Sequence, residues 1–158
     1  MGFALSDMQL TSSAFNHGGI IPTRHTGDGP DVSPELAWSD APEGTASFAL
    51  ICHDPDAPLI SPGNYGFVHW VLYGIPASVS QLAEGTQDYT PGINNFGNRG
   101  YGGPMPPEGH GRHHYFFWLL ALDAEPELEP GLTMWDLLER IEPNVIAMNR
   151  LVGTYERS

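Results

Sequence analysis

Ser47-Phe48-Ala49-Leu50-Ile51-Cys52-His53-Asp54-Pro55-Asp56-Ala57-Pro58 is the stretch from which the fold is most easily read. Six residues with no polar alternation run straight into a turn built from two aspartates and two prolines. A short apolar run bounded by turn residues is the signature of a strand covered on both faces. Two further runs repeat it, Phe67–Tyr73 and Tyr115–Leu122. All three are apolar on both faces, which places them centrally, between covering layers. Between them lie Gly/Pro-rich turns, drawn from 19 glycines and 15 prolines, and no helical period appears before about residue 130. The expected class is therefore a mostly β, antiparallel sandwich or barrel.

Helices are expected only at the end. Thr133 can cap a helix starting at Met134, and Met134, Leu137, Leu138 and Ile141 recur at helical spacing. Pro143 stops that helix and can open another. Val145, Met148 and Val152 then form an apolar stripe ended by Gly153, so a short helical hairpin is expected at the C-terminus. No internal repeat or long linker divides the 158 residues, which suit one domain, 1–158, with one core.

Charge excludes several functions. Nineteen acidic residues face six basic ones, all arginine, for a formal net charge of −13. Such a surface repels nucleic-acid phosphates and anionic lipid headgroups, so neither nucleic acid nor bulk membrane is an expected partner. Without lysine there is no Schiff-base or phosphate-loop lysine chemistry. Cys52 is the only cysteine and sits in an apolar strand, so a buried core thiol is expected. No run of about 18 apolar residues could span a membrane. The first ten residues lack a secretory pattern, so a cytoplasmic setting is the expectation.

Three segments could carry chemistry. Asp54-Pro55-Asp56 leaves a buried strand with its backbone stiffened by proline, although an Asp-Pro turn in which Asp bonds the backbone explains it equally well. His69 stands inside an apolar strand, which is costly unless its ring nitrogens find partners. Gly109-His110-Gly111-Arg112-His113-His114-Tyr115 enters the longest apolar run, with His113 and Tyr115 on one strand face and His114 on the other. The preceding loop, Gly97 to Gly111, combines glycines that permit close backbone approach to a ligand with prolines that keep it open.

Asp54-Pro-Asp-Ala-Pro58, His69-Trp70, Gly103-Pro104 with Pro106-Pro107, and His113-x-Tyr115 occur in the order of the phosphatidylethanolamine-binding proteins. That family includes the Raf kinase inhibitor protein and the plant flowering-time regulators. Ser33-Pro-Glu-Leu-Ala-Trp38 and Gly153-Thr-Tyr-Glu-Arg157 resemble its short bacterial branch, and the resemblance spans about residues 8 to 157. It implies an antiparallel β-sandwich with Greek-key connections and a shallow pocket for a phosphate or phosphoethanolamine-like anion. By motif position, Asp54, Asp56, His69, Pro107, His113 and Tyr115 line that pocket. The resemblance implies no catalytic residue, metal or cofactor; it adds regulation of a kinase or other enzyme, and a homodimer. Two departures stand out. His114 replaces the usual arginine, which weakens charge pairing there, and Met105 stands where bacterial relatives often have cysteine.

Protonated His69 or His113 and the Tyr115 hydroxyl could donate to phosphate oxygens, giving binding that strengthens as pH falls through the histidine range. The alternatives are a metal-assisted hydrolase using Asp54, Asp56, His69 and His113 with zinc or iron, with His110-x-x-His113 offering a further pair, and a regulator acting only through its surface. Nucleophilic acyl transfer has little support: there is no Gly-x-Ser-x-Gly elbow.

Overall fold

The computed structural model describes residues 3–58 and 65–158. Within them, in chain order, are β1 (Gln9–Thr11), β2 (Leu36–Ser39), β3 (Ser47–Asp54), β4 (Phe67–Pro76), β5 (Gln81–Leu82), β6 (Thr90–Pro91), β7 (His113–Leu122), α1 (Met134–Ile141) and β8 (Val145–Tyr155). They form a three-stranded sheet, β1-β2-β5, and a five-stranded sheet, β6-β4-β3-β7-β8. Every named strand pairing is antiparallel.

The three apolar runs are the three central strands of the large sheet, as their two-sided apolarity implies. Alternation assigns the faces. Phe48, Leu50 and Cys52 of β3, with Phe117 and Leu119 of β7, meet Leu10, Leu36 and Trp38 of the small sheet in one core. Ala49 and Ile51, with Leu120 and Leu122, meet Met134, Leu137 and Ile141 of α1 in a second core on the opposite face. Each fully buried Leu or Ile there contributes about 2 kcal/mol. Cys52 lies in the first core, and burial pushes its thiol well above the ordinary range, which makes it inert.

The C-terminal hairpin requires correction. Thr133 caps α1 as expected, its hydroxyl accepting from the Asp136 N–H at 3.1 Å. A single 3-10 turn, Glu142–Asn144, follows it. Val145–Tyr155 is then a strand, not a second helix. Val145, Met148 and Val152 fit a helical spacing, but so few positions cannot fix a period. Ten registered positions against β7, from His113↔Tyr155 to Leu122↔Val145, satisfy a backbone edge that a helix would have left bare. No helix among the described residues is long and apolar enough to cross a membrane.

β3 ends where β4 and β7 begin, so Asp54, His69, His113 and Tyr115 reach the same end of the large sheet. One irregularity aims His69. The β3–β4 register passes from Cys52↔Trp70 to His53↔Val68, which leaves His69 as the extra residue of a β-bulge. Such a bulge re-aims a side chain without interrupting the flanking pairs.

Candidate functional site

A cavity of about 500 Å³ opens at this end of the sheet. Its polar lining includes Asp54, His69, His113 and Tyr115, and Pro107 stands beside them. The structure therefore brings together five of the six residues singled out from the sequence. Asp56 lies outside the lining. Its Oδ2 accepts from both the backbone N–H and the Nδ1 of His114, each at 2.8 Å, on the outer side of β7. The position thus still bonds a carboxylate despite the loss of the usual arginine.

Asp54 divides its two oxygens between structure and site. Oδ1 accepts the Asp56 N–H at 2.7 Å, which is the Asp-Pro turn read from the sequence. Oδ2 meets His113 Nδ1 at 2.6 Å, with both side chains buried. Burial pushes the Asp54 carboxyl above its usual range, and the bonds from His113 and the Asp56 N–H pull against that shift. The second ring nitrogen of His113, Nε2, lies 2.7 Å from Nδ1 of His110, an exposed loop histidine.

His69 is held differently. Its Nδ1 donates to the Gly102 carbonyl at 2.7 Å, and the Gly102 N–H donates to the His69 carbonyl at 2.9 Å. This clasp fixes the tautomer, so in the neutral ring Nε2 is an acceptor. Burial lowers the His69 pKa to about 4, against a smaller opposing effect of the Gly102 bond. At neutral pH His69 is therefore uncharged, contrary to the expectation that it could serve as a cationic donor. Desolvation costs the imidazolium more than one carbonyl contact returns. Burial, first, and the nearby Asp54 charge raise the Tyr115 hydroxyl well above its ordinary pKa, so it remains an O–H donor.

The glycines of the loop serve the protein more than a ligand. A side chain on Gly103 would place Cβ 2.3 Å from the His25 carbonyl, and one on Gly102 would meet the Phe96 ring at 2.5 Å. The Gly103 N–H also donates to Asp31 at 2.8 Å. Close packing of the loop against residues 25–31 and Phe96, rather than ligand approach, requires glycine at these two positions.

Phe67, Phe96 and Met105 form an apolar wall that sequence reasoning missed. The Phe67 and His69 rings lie 4.8 Å apart, and Phe96 packs edge-on to both. Phe96 and Met105 are 48% and 43% exposed, so the wall reaches solvent. Phe67 stands two residues before His69, close enough to have been suspected. Phe96 gave no local signal. Among the described residues, no three His, Cys, Asp or Glu side chains converge in an arrangement that could hold a metal ion. Asp56, needed for the four-ligand alternative, is committed to His114.

Comparison with known proteins identifies the family and the fold. Residues 11–156 match the family model described as phosphatidylethanolamine-binding protein. A UPF0098 protein of Aquifex aeolicus is 42% identical over 157 residues, covering 95% of this chain and 89% of the relative. The crystal structure of a phosphatidylethanolamine-binding protein homologue from Chlamydia trachomatis superposes with a TM-score of 0.89 at 40% identity, covering 96% of this chain and 98% of that one. E. coli YbcL superposes with a TM-score of 0.87 at 33% identity, covering 97% and 100%. The chain belongs to the phosphatidylethanolamine-binding protein family.

Proposed function

We propose that this chain acts, as one cytoplasmic domain, by binding a small phosphorylated ligand such as phosphoethanolamine in the cavity at the end of the large sheet. The observation that carries the reading is the buried Asp54–His113 pair at 2.6 Å, set in the wall of an open cavity beside the Tyr115 hydroxyl. A pair this buried is retained at some expense to stability, and facing a cavity it has a ligand to serve. Asp54 orients His113, and His113 and Tyr115 supply donors to phosphate oxygens. His69 Nε2, as an acceptor, suits a protonated phosphate oxygen or an ammonium group. The aromatic wall beside it supports an ammonium as well, since cations are attracted to ring faces. The charge of −13 argues for a single headgroup rather than a lipid surface.

His113, rather than His69, is then the imidazole that serves the anion as a donor. Regulation of a partner enzyme and dimerisation follow as uses of the same ligand-responsive domain. Calorimetric titration with phosphoethanolamine between pH 5 and 8 tests the reading. Affinity that rises as pH falls, and is lost in His113→Ala, is the expected outcome. Affinity flat across that range, or unchanged in His113→Ala, overturns it.

A further inference from the structure

His110 is not among the residues lining the cavity, yet it holds the one ring nitrogen of His113 that Asp54 leaves free. The two imidazoles lie 2.7 Å apart through His110 Nδ1 and His113 Nε2, with ring centroids 4.9 Å apart at 62°. His113 is buried and His110 is exposed. His110 is carried between Gly109 and Gly111, both at positive φ, 71° and 94°, and neither has a heavy atom within 4 Å of where a Cβ would stand. The His110 N–H is also anchored, to the Pro107 carbonyl at 3.1 Å, so its backbone is placed while its exposed ring lies against His113.

That arrangement sets a problem for the anion reading, on which this inference rests. While His110 occupies His113 Nε2, no anion can take the same N–H. Proton counting resolves it. A hydrogen bond between two ring nitrogens needs one hydrogen between them, so the pair stays closed when both rings are neutral and when they carry one extra proton. A second extra proton puts an N–H on each facing nitrogen, and the bond cannot persist. The two N–H groups then address one point from two sides.

We infer that His110 is a ligand-binding residue that closes over His113 in the free protein and opens, once both imidazoles are protonated, into a two-imidazole clamp for a tetrahedral oxyanion. Asp54 offsets one of the two imidazolium charges, and the bound anion offsets the other, so binding and proton uptake support each other. The remaining charged groups on the neighbouring elements are already engaged. On the turn after β3, Asp56 faces His114; on the loop, Glu108 bonds Arg157 at 3.3 Å; at the mouth of β7, Arg112 lies 3.7 Å from Glu156. His69, on β4, is neutral, and the Tyr115 hydroxyl stays protonated. His53, on β3, holds the Tyr65 carbonyl through Nε2 at 2.9 Å.

Sulfate is the probe, because it does not itself titrate between about pH 5 and 8. Its binding to the full chain and to His110→Ala is measured by calorimetry at about pH 5.5 and 7.5, in buffers of different ionisation enthalpy. The expected result is about tenfold weaker sulfate binding by His110→Ala at the lower pH, from loss of a charge-assisted donor, and no loss at the higher pH. The wild-type chain also takes up more protons per sulfate than the variant. Equal affinity and equal proton uptake in the two proteins, with His113→Ala unable to bind, overturns the clamp and leaves the anion site standing. No sulfate binding by the wild-type chain at tens of millimolar overturns the anion site and the clamp together.

Discussion

Two aspartate–histidine pairs join the same two segments of this chain, and they differ in nearly everything that follows from burial. Asp54 and His113 meet at 2.6 Å with side chains 3% and 2% exposed. Asp56 and His114 meet at 2.8 Å with side chains 40% and 47% exposed. The partners are the same chemical groups, two residues apart on one segment and adjacent on the other. Strand alternation turns His113 inward and His114 outward, and water does the rest. For Asp54, burial raises the carboxyl pKa despite its bonds. For Asp56, burial also pushes upward, but the side-chain and backbone bonds from His114 outweigh it and hold the carboxyl below the usual range. A sequence motif that offers two aspartates and two histidines therefore supplies one buried pair at a cavity and one surface clip.

The largest effect is expected from breaking the inner pair. Asp54→Ala leaves a buried imidazole without its partner and should destabilise the fold by about 3 to 5 kcal/mol in urea unfolding, with loss of phosphoethanolamine binding. A cost below about 1 kcal/mol would show that the inner pair is energetically no different from the outer one. Next comes His69, a buried histidine with a carbonyl in place of a carboxylate. Its folded pKa of about 4 lies below the unfolded value near 6.5, so between those values the unfolded chain binds the extra proton. Its contribution to stability is complete above about pH 6.5 and is lost as pH falls toward 4, by roughly 3 kcal/mol. His69→Gln should remove that slope from a series of unfolding curves; an unchanged slope would mean that His69 titrates as an exposed histidine. The smallest effect belongs to the outer pair. Asp56→Ala and His114→Ala should each cost less than about 1 kcal/mol, screened further by salt, and leave phosphoethanolamine affinity unchanged. A clear drop in affinity in Asp56→Ala would return that residue to the site.

The contrast also marks how far the sequence could be read. The three central strands were legible because two-sided apolarity allows little else, and the faces of His113 and His114 follow from alternation alone. The aspartates were not separable, because a proline-bracketed turn has no period that tells which carboxylate turns inward. The role of His69 depends on a β-bulge and on a carbonyl 33 residues away, neither of which leaves a local trace. β8 was misread because three apolar residues spaced by three and four fit a helix as well as a strand, and what decides between them is the edge of β7. His110 was visible as an imidazole three residues before His113, a spacing that a glycine-rich loop leaves without preferred geometry; the closeness of the two rings needs the turn of Gly109 and Gly111.

The central claim is that the inner pair faces a ligand and the outer pair does not. A crystal of the full chain soaked with phosphoethanolamine, at a pH near 5.5, tests it most directly. The account predicts the phosphate held by His113 and the Tyr115 hydroxyl, with Asp54 still bonded to His113 Nδ1 and Asp56 still bonded to His114. A phosphate bound at Asp56 and His114, or a cavity between His69 and His113 left empty at saturating ligand, would contradict it.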